Sequence, residues 1–152
     1  MLLYLMRHGD SSPGTDDTRR PLSPKGRKDV GKVAQYLLAS GAQVDVFYHS
    51  PKERAKETAQ IVKDILNPKA RMEMKDGFAP NDPVEKAWEG IVALKEKSMV
   101  VSHLPLLPKL ISRLVTGHED ENIIGLSAGS VIILEQSSRQ WNIKEVISPE
   151  QT

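Results

Sequence analysis

The chain opens with MLLYLMRHG, residues 1–9, and this stretch decides its fold. The apolar run over residues 2–6 has no charged break, which is typical of a short strand buried on both faces. Arg7 and His8 end the run, and Gly9 lets the chain turn sharply. An arginine and a histidine therefore follow a buried strand, at the edge where open α/β sheets bind ligands. A cation beside a potential nucleophile suits an anionic, phosphorylated substrate.

Composition limits the class of protein. The chain has 152 residues, 39% hydrophobic and 27% charged, which predicts one domain over 1–152 with a core of its own. Lys+Arg is 21 and Asp+Glu is 20, so a net charge of +1 gives no support for nucleic-acid or membrane binding. Cysteine is absent, which excludes disulfides, cysteine-ligated zinc and a cysteine nucleophile. Without a visible signal peptide or a membrane span of about 20 apolar residues, we expect a cytoplasmic protein.

Strand and helix patterns alternate along the chain. Strands are predicted at residues 2–6, 44–48, 70–74 and 98–101, each followed by helical spacing of apolar residues. Residues 116–129 are predicted to be a loop that holds at most a short helical turn. Residues 131–134 and 141–147 close the chain as an antiparallel hairpin, with 136–140 as its turn. The alternation predicts a three-layer α/β/α sandwich whose sheet is mostly parallel with an antiparallel edge.

Three helix starts have a proline in the first turn, preceded by a residue that caps helices. These are Ser23-Pro24, Ser50-Pro51 and Asp82-Pro83. Glu53 and Glu85 follow the last two at the spacing of a capping box. Ser50 and Asp82 are therefore predicted to cap their helices.

Three strand ends carry similar chemistry. Arg7 and His8 follow the first strand, Arg54 lies in the first turn after the second, and His103 follows the fourth. In a parallel sheet these ends share one edge. Two arginines, two histidines and two helix N-termini would then face one anion site.

The same residues resemble the histidine phosphatase superfamily, the phosphoglycerate-mutase-like proteins, and within it the small SixA-type phosphohistidine phosphatases. The resemblance lies in the RHG triplet 7–9, in Ser50-Pro51-x-x-Arg54-x-x-x-Thr58, and in the SHLPL stretch 102–106. Larger members have helical lid insertions, and this chain has no room for one.

The resemblance implies a role for each matching residue. His8 would be the nucleophile that becomes a phosphohistidine, and Arg7 and Arg54 would clamp the phosphoryl oxygens. His103 would donate to a phosphoryl oxygen or to the leaving group. Arg20 would contact the substrate phosphate or a partner protein, with no role as the competing interpretation. The structural alternatives are a solvated helix residue paired with Glu53 or Glu57 for Arg54, and a helix cap for His103. Substrate binding is also assigned to Gly9 and Ser50. His49 and His118 are expected to be structural or exposed.

One departure from the family pattern concerns the general acid. Many members have a glutamate after the third strand, and here Gly77 stands about where it would be. Asp82 is the candidate replacement, although capping also explains it, and Asp76 is a second candidate. A phosphoramidate needs less help than an ester because its imidazole leaving group takes a proton from solvent readily.

The leading hypothesis is therefore a phosphatase acting on phosphohistidine of a phosphotransfer domain or phosphocarrier protein. The alternatives are a small-molecule phosphomonoesterase of the same superfamily and a non-catalytic phosphohistidine-binding module. A mutase is disfavoured because it must retain its intermediate behind a lid. Phosphate or sulfate is expected to bind the site. No cofactor and no metal are expected, since no carboxylate cluster with ligand spacing accompanies the histidines.

Overall fold

A computed structural model describes residues 1–120 and 123–152, which form six strands and four helices. In chain order the elements are β1 Leu2–Arg7, α1 Pro24–Ala39, β2 Val46–His49, α2 Glu53–Leu66, β3 Arg71–Met74, α3 Val84–Val92, β4 Ser98–Ser102, α4 Leu106–Thr116, β5 Val131–Ser137 and β6 Gln140–Ile147. A 3₁₀ turn, Pro149–Gln151, follows β6.

One sheet joins all six strands in the order β3-β2-β4-β1-β5-β6. The first four are parallel to one another, while β5 is antiparallel to β1 and β6 to β5. The predicted mostly parallel sheet with an antiparallel edge is confirmed. Because β1 and β4 are neighbours, the carboxyl ends that carry the predicted site residues meet at the centre of the sheet.

Alternation along the strands produces two cores, one on each face. Tyr4 and Met6 of β1 pack with α1 and α2, whereas Leu3 and Leu5 pack with α3 and α4. All four side chains are at most 3% exposed. A strand buried on both faces reads as a continuous apolar run, which is the reason residues 2–6 look as they do in the sequence. The three-layer sandwich is thereby confirmed.

The predicted helix caps are only partly correct. Ser23 caps α1, and its Oγ accepts the backbone N–H of Gly26 at 2.9 Å. The Ser50 prediction is wrong, because α2 begins at Glu53 with Lys52 in the N-cap position. The Asp82 prediction is wrong too, because Pro83 is the N-cap of α3. In both cases the side chain predicted to cap the helix has a partner elsewhere.

The closing hairpin is tighter than predicted. Its strands extend to Ser137 and from Gln140, which leaves only Ser138 and Arg139 in the turn. Both turn residues have positive φ, 51° and 66°. Two such residues form the mirror-image turn whose twist matches that of the flanking strands.

The loop predicted over 116–129 is shorter at its start, because Thr116 is the last residue of α4. Residues 121–122 of that prediction lie outside the described residues, and the other residues of the loop carry no helical turn. Within the described part of the chain, no helix is long and apolar enough to cross a membrane.

Candidate active site

The site lies where β1 and β4 end side by side. Arg7 pairs in register with Ser102, and the backbone N–H of His8 donates to the Ser102 carbonyl at 3.1 Å. His103 is the next residue along the neighbouring strand end. The two imidazole rings lie with centroids 4.9 Å apart and planes tilted by 52°. The sheet therefore brings together histidines that are far apart in the chain, as predicted.

The orientation of His8 is set by its own backbone. Its Nδ1 lies 2.7 Å from the Gly9 carbonyl oxygen, which can only accept, so Nδ1 has the hydrogen. Nε2 is left with a free lone pair. Gly9 in turn donates its N–H to Thr58 Oγ1 at 3.1 Å, and that hydroxyl donates to the Arg54 carbonyl at 2.8 Å. Gly9, predicted to bind substrate, has its carbonyl engaged by His8 and its N–H engaged by Thr58.

Close packing holds the same turn in place. A Cβ on Gly9 would lie 2.7 Å from Cγ2 of Val30, and one on Gly26 would lie 2.0 Å from the Asp10 carbonyl oxygen. The start of α1 therefore packs directly against the backbone that follows β1, and only glycine fits at either position.

The His8 imidazole is neutral near pH 7. Burial, which has the largest effect, acts with the positive charges of Arg54, Arg7 and Arg20 and against the hydrogen bond to Gly9 to lower its pKa to about 4. A neutral ring with a free Nε2 is the form that can attack phosphorus.

The Arg7 guanidinium is partly anchored and partly free. Nη1 donates to the Leu126 carbonyl at 2.8 Å. Its Nε is buried and finds no partner in the described part of the chain. Burial lowers the pKa of the Arg7 side chain, which nevertheless keeps its charge, as arginine does in proteins. A buried N–H donor destabilises the fold unless an acceptor forms a hydrogen bond with it.

Arg54 lies in the first turn of α2 and is 5% exposed. Its Nη1 donates to the Asp17 carbonyl at 2.7 Å, and its Nη2 is 3.6 Å from the Asp17 carboxylate. The alternative of an exposed arginine paired with Glu53 or Glu57 is wrong. Glu57 instead accepts from the Leu22 backbone at 2.6 Å and from an Arg27 side chain.

Asp17 and Lys52 belong to the site although the sequence analysis missed them. Lys52 Nζ is 2.8 Å from the Asp17 carboxylate, and Arg20 Nη1 is 3.7 Å from it. The hydrogen bond from Lys52, followed by the charge of Arg54, holds the pKa of Asp17 below its usual range. An acidic pair followed by an arginine pair at 16–20 is a sequence hint of such a cluster, but it does not say which cation it meets.

Arg20, assigned to substrate or partner contact, borders the site. Its Nη2 donates to Ser11 Oγ at 2.8 Å, and its charge contributes to the low pKa of His8. Its side chain is 39% exposed, so it remains accessible to an incoming anion.

His103 is almost completely buried, at 1% exposure. Its Nε2 lies 2.5 Å from Ser50 Oγ, so Ser50 contacts the second histidine instead of capping α2. Burial, with smaller contributions from His8 and from the positive charges of Arg54 and Lys52, lowers the pKa of His103 to about 3. Both imidazoles of the site are therefore uncharged near neutral pH.

The two candidate acids, Asp82 and Asp76, differ in their surroundings. Asp82 Oδ2 accepts the backbone N–H of Ala79 at 3.0 Å, within its own loop. Asp76 is exposed. Gly77, at the position expected for the acid, is buried and has φ +93°. The backbone carbonyl of the next residue, Phe78, accepts a hydrogen bond from Ser102 Oγ at 2.6 Å, which attaches this loop to the end of β4.

The remaining histidines stay outside the site. His49 is 6% exposed and its ring contacts the Ser50 carbonyl at 2.7 Å, which is a structural role. His118 is exposed. Over residues 1–120 and 123–152, no group of three or more histidine and acidic side chains could hold a metal ion.

The arrangement can bind a small dianion beside a neutral imidazole. Guanidinium groups, a helix N-terminus and imidazole surround one strand edge, and each favours negative charge. Such a site can stabilise a phosphoryl group as charge shifts among its oxygens.

Comparison with known proteins agrees with this geometry. The model of the histidine phosphatase superfamily, branch 1, matches residues 3–79. The phosphohistidine phosphatase SixA of Escherichia coli (strain K12) is 27% identical over 147 residues, which cover 93% of this chain and 91% of that protein. A structure of the protein histidine phosphatase SixA complexed with tungstate superposes with a TM-score of 0.89 at 26% identity, covering 98% of this chain and 97% of the other.

A third relative has another activity. The alpha-ribazole phosphatase of Shigella flexneri superposes with a TM-score of 0.77 over 98% of this chain and 97% of its own. At 16% identity the likeness shows the fold alone. It shows that this fold, at this length, also serves a protein named for a small-molecule substrate.

Proposed function

This chain belongs to the histidine phosphatase superfamily, and on that premise we propose that it hydrolyses phosphohistidine on a partner protein. The partner would be a phosphotransfer domain or a phosphocarrier protein. The observation that carries the proposal is the loop after β3, where Gly77 takes the expected place of the acid and the Asp82 carboxylate is bonded within the loop. An alcohol leaves poorly without a proton donor, whereas imidazole leaves readily.

The reaction would take two displacements. In the first, His8 Nε2 forms a bond to phosphorus as the bond from phosphorus to the substrate imidazole breaks, and that imidazole takes a proton from water. In the second, water attacks phosphorus as the bond from phosphorus to His8 Nε2 breaks, the attacking water releases a proton to solvent, and phosphate leaves. The neutral His8 with Nδ1 held by Gly9 supports its role as nucleophile.

Arg7, Arg54 and His103 would hold the phosphoryl oxygens during both steps. The two guanidinium groups can each donate two parallel hydrogen bonds, and neither arginine loses its charge. The low exposure of Arg54 and His103, 5% and 1%, strengthens these contacts because water competes little. Arg20, at the edge, would meet the substrate or its carrier protein.

A second candidate is a phosphomonoesterase acting on a small molecule. Alpha-ribazole phosphatase shares this fold, so the fold by itself does not separate the two activities. It requires a proton donor for the leaving oxygen, and Asp82 and Asp76 are the carboxylates nearest the expected position. A pure binding module is the third candidate, and the free Nε2 of His8 argues against it, because a binder needs no nucleophile.

The test is a matched rate comparison. Phosphate release is measured from a phosphorylated histidine phosphotransfer domain and from a panel of phosphomonoesters, with His8→Ala as the inactive variant and His118→Ala as the histidine control. We expect fast release from phosphohistidine alone, lost in His8→Ala and retained in His118→Ala. Faster release from an ester would overturn the proposal in favour of the second candidate. Phosphohistidine that is bound but released by neither wild type nor variant would favour the binding module.

A further inference from the structure

The Ser50 hydroxyl and the His103 imidazole form a buried pair across the sheet edge. Ser50 is fully buried, and its backbone N–H donates to the Val101 carbonyl at 3.2 Å, which ties the end of β2 to β4. The Oγ lies 2.5 Å from His103 Nε2 and accepts the backbone N–H of Lys52 at 3.2 Å. His103 Nδ1 is buried without a hydrogen-bond partner among the described residues.

A count of hydrogen atoms separates the two arrangements that this contact allows. If Ser50 donates to Nε2, every polar atom of the pair is satisfied except an N–H on Nδ1. If Nε2 donates to Ser50, the serine hydrogen and the Nδ1 lone pair are both left without partners. Buried polar groups without partners are rare because each costs about 1–3 kcal/mol. The first arrangement leaves one such atom and the second leaves two.

The first arrangement leaves the Nδ1–H of His103 without an acceptor, and a phosphoryl oxygen would supply one. The oxygen is an acceptor, so it needs a donor from a neutral imidazole, and only the Nδ1–H tautomer gives His103 one on the nitrogen not bonded to Ser50. Burial keeps His103 uncharged near neutral pH, so a proton on both nitrogens does not supply this donor. The identity of the tautomer then decides whether His103 attracts or repels the oxygen.

We propose that Ser50 is a positioning residue, whose hydroxyl donates to His103 Nε2 and so keeps the hydrogen on Nδ1, from which it is donated to a phosphoryl oxygen. The identity of that oxygen rests on the proposed function; the tautomer does not. A serine that merely fills space or caps α2 would make no such demand on the ring. This role also explains why Ser50 is withdrawn from α2, whose N-cap is Lys52.

The tautomer can be read directly in the protein as it is. Long-range ¹H–¹⁵N spectra at pH 7, with His103 assigned through His103→Gln, distinguish a protonated from an unprotonated ring nitrogen. We expect Nδ1 protonated and Nε2 unprotonated in the wild type, and a shift of the hydrogen towards Nε2 in Ser50→Ala. Protonation of Nε2 in the wild type, or an unchanged tautomer in Ser50→Ala, overturns the proposal. The wild-type spectrum decides even if the variant does not fold.

Binding of inorganic phosphate gives a second readout. Ser50→Ala and the size-matched Ser50→Cys should bind phosphate about tenfold or more weakly, the effect of losing one hydrogen bond to a charged group. Ser112→Ala is the matched control, because Ser112 is also fully buried and donates to the His118 carbonyl, away from the site. Equal loss of melting temperature and unchanged phosphate binding in all three variants would mean a structural role only.

These results separate the inference from the proposed function. The expected tautomer and phosphate binding with no release from phosphohistidine would leave Ser50 in its role and reject the substrate. Release from phosphohistidine with Nε2 protonated in the wild type would support the substrate and reject the role of Ser50.

Discussion

The Arg54 guanidinium donates to the Asp17 carbonyl at 2.7 Å, and the Asp17 carboxylate lies 3.6 Å from the same group. A loop residue thus holds the arginine that we expect to clamp phosphate. The Asp17 side chain is 58% exposed and also meets Lys52 and Arg20. It is a built-in anion beside the position where a substrate anion would bind.

Replacing this carboxylate should therefore strengthen anion binding. In Asp17→Asn we expect inorganic phosphate to bind about two- to fivefold more tightly at low salt, a gain limited by the exposure of the pairs. Titration calorimetry measures it. Asp16→Asn is the control, because Asp16 pairs with Arg19 at 3.0 Å. Weaker binding in Asp17→Asn alone would mean that the carboxylate mainly orders Arg54.

Arg54→Ala should lower kcat/KM for phosphohistidine by two or more orders of magnitude, as expected for loss of a group that stabilises transferring phosphoryl oxygens. The fold should persist, because the guanidinium contacts a loop and not the apolar core. Arg27→Ala, which removes an exposed pair with Glu57, is the matched control. Full activity, or unfolding seen by circular dichroism, would reject the clamp role.

The rate of hydrolysis should fall at acid pH because His8 becomes protonated. Because burial and nearby arginines lower the His8 pKa to about 4, the ring is neutral above that pH and protonated below it. We expect kcat/KM to fall as pH falls through about 4 and to show no His8-dependent step between pH 6 and 8. The profile is measured against His8→Ala to subtract spontaneous hydrolysis. A step near pH 6.5 would contradict a buried, neutral nucleophile.

Stability should fall over a defined acid range. Below pH 6.5 the unfolded chain takes up protons at both histidines, while the folded pKa values are about 4 for His8 and about 3 for His103. Stability is therefore lost as pH falls from 6.5 to these values. Between pH 6.5 and 4.5, the free energy of unfolding should decrease less in His8→Gln than in the wild type. The difference should be on the order of 2 kcal/mol.

Urea unfolding at the two pH values measures this difference. His118→Gln is the control because His118 is exposed. An equal loss of stability in the wild type and in His8→Gln would show that the folded His8 titrates normally.

Asp82→Asn should leave phosphohistidine hydrolysis within about twofold of the wild type, because the carboxylate accepts from the Ala79 backbone and an amide oxygen can replace it. Asp76→Asn should behave in the same way. Rates on a phosphotransfer domain test both variants. A drop of more than tenfold in either would identify a general acid and favour the phosphomonoesterase.

Prediction from the sequence succeeded where the pattern is local. The continuous apolar run at 2–6 reports a strand buried on both faces, and the strand ends carrying Arg7, His8 and His103 follow from the alternation of elements. Ser23 caps α1 because its partner, Gly26, is three residues away. Each of these features depends on residues that are near neighbours in the chain.

Prediction from the sequence failed where a side chain contacts a residue far away in the chain. Ser50 meets His103, 53 residues away, and Arg54 meets Asp17, 37 residues away. Ser50 and Asp82 both carry the pattern of a helix cap, and the pattern alone cannot rank the cap against a competing partner. That partner is His103 across the fold for Ser50 and the Ala79 backbone, three residues away, for Asp82.

The sequence by itself determined the alternation of strands and helices, the polar residues at the strand ends and the family resemblance. The alternation follows from hydrophobic periodicity along the chain, whereas the resemblance rests on the motifs within residues 7–9, 50–58 and 102–106. Only the tertiary structure decided the hydrogen bond between His103 and Ser50, the neutral state of both rings and the contact of Arg54 with Asp17. Burial and the positions of distant charges set them, and both exist only once the strands lie side by side.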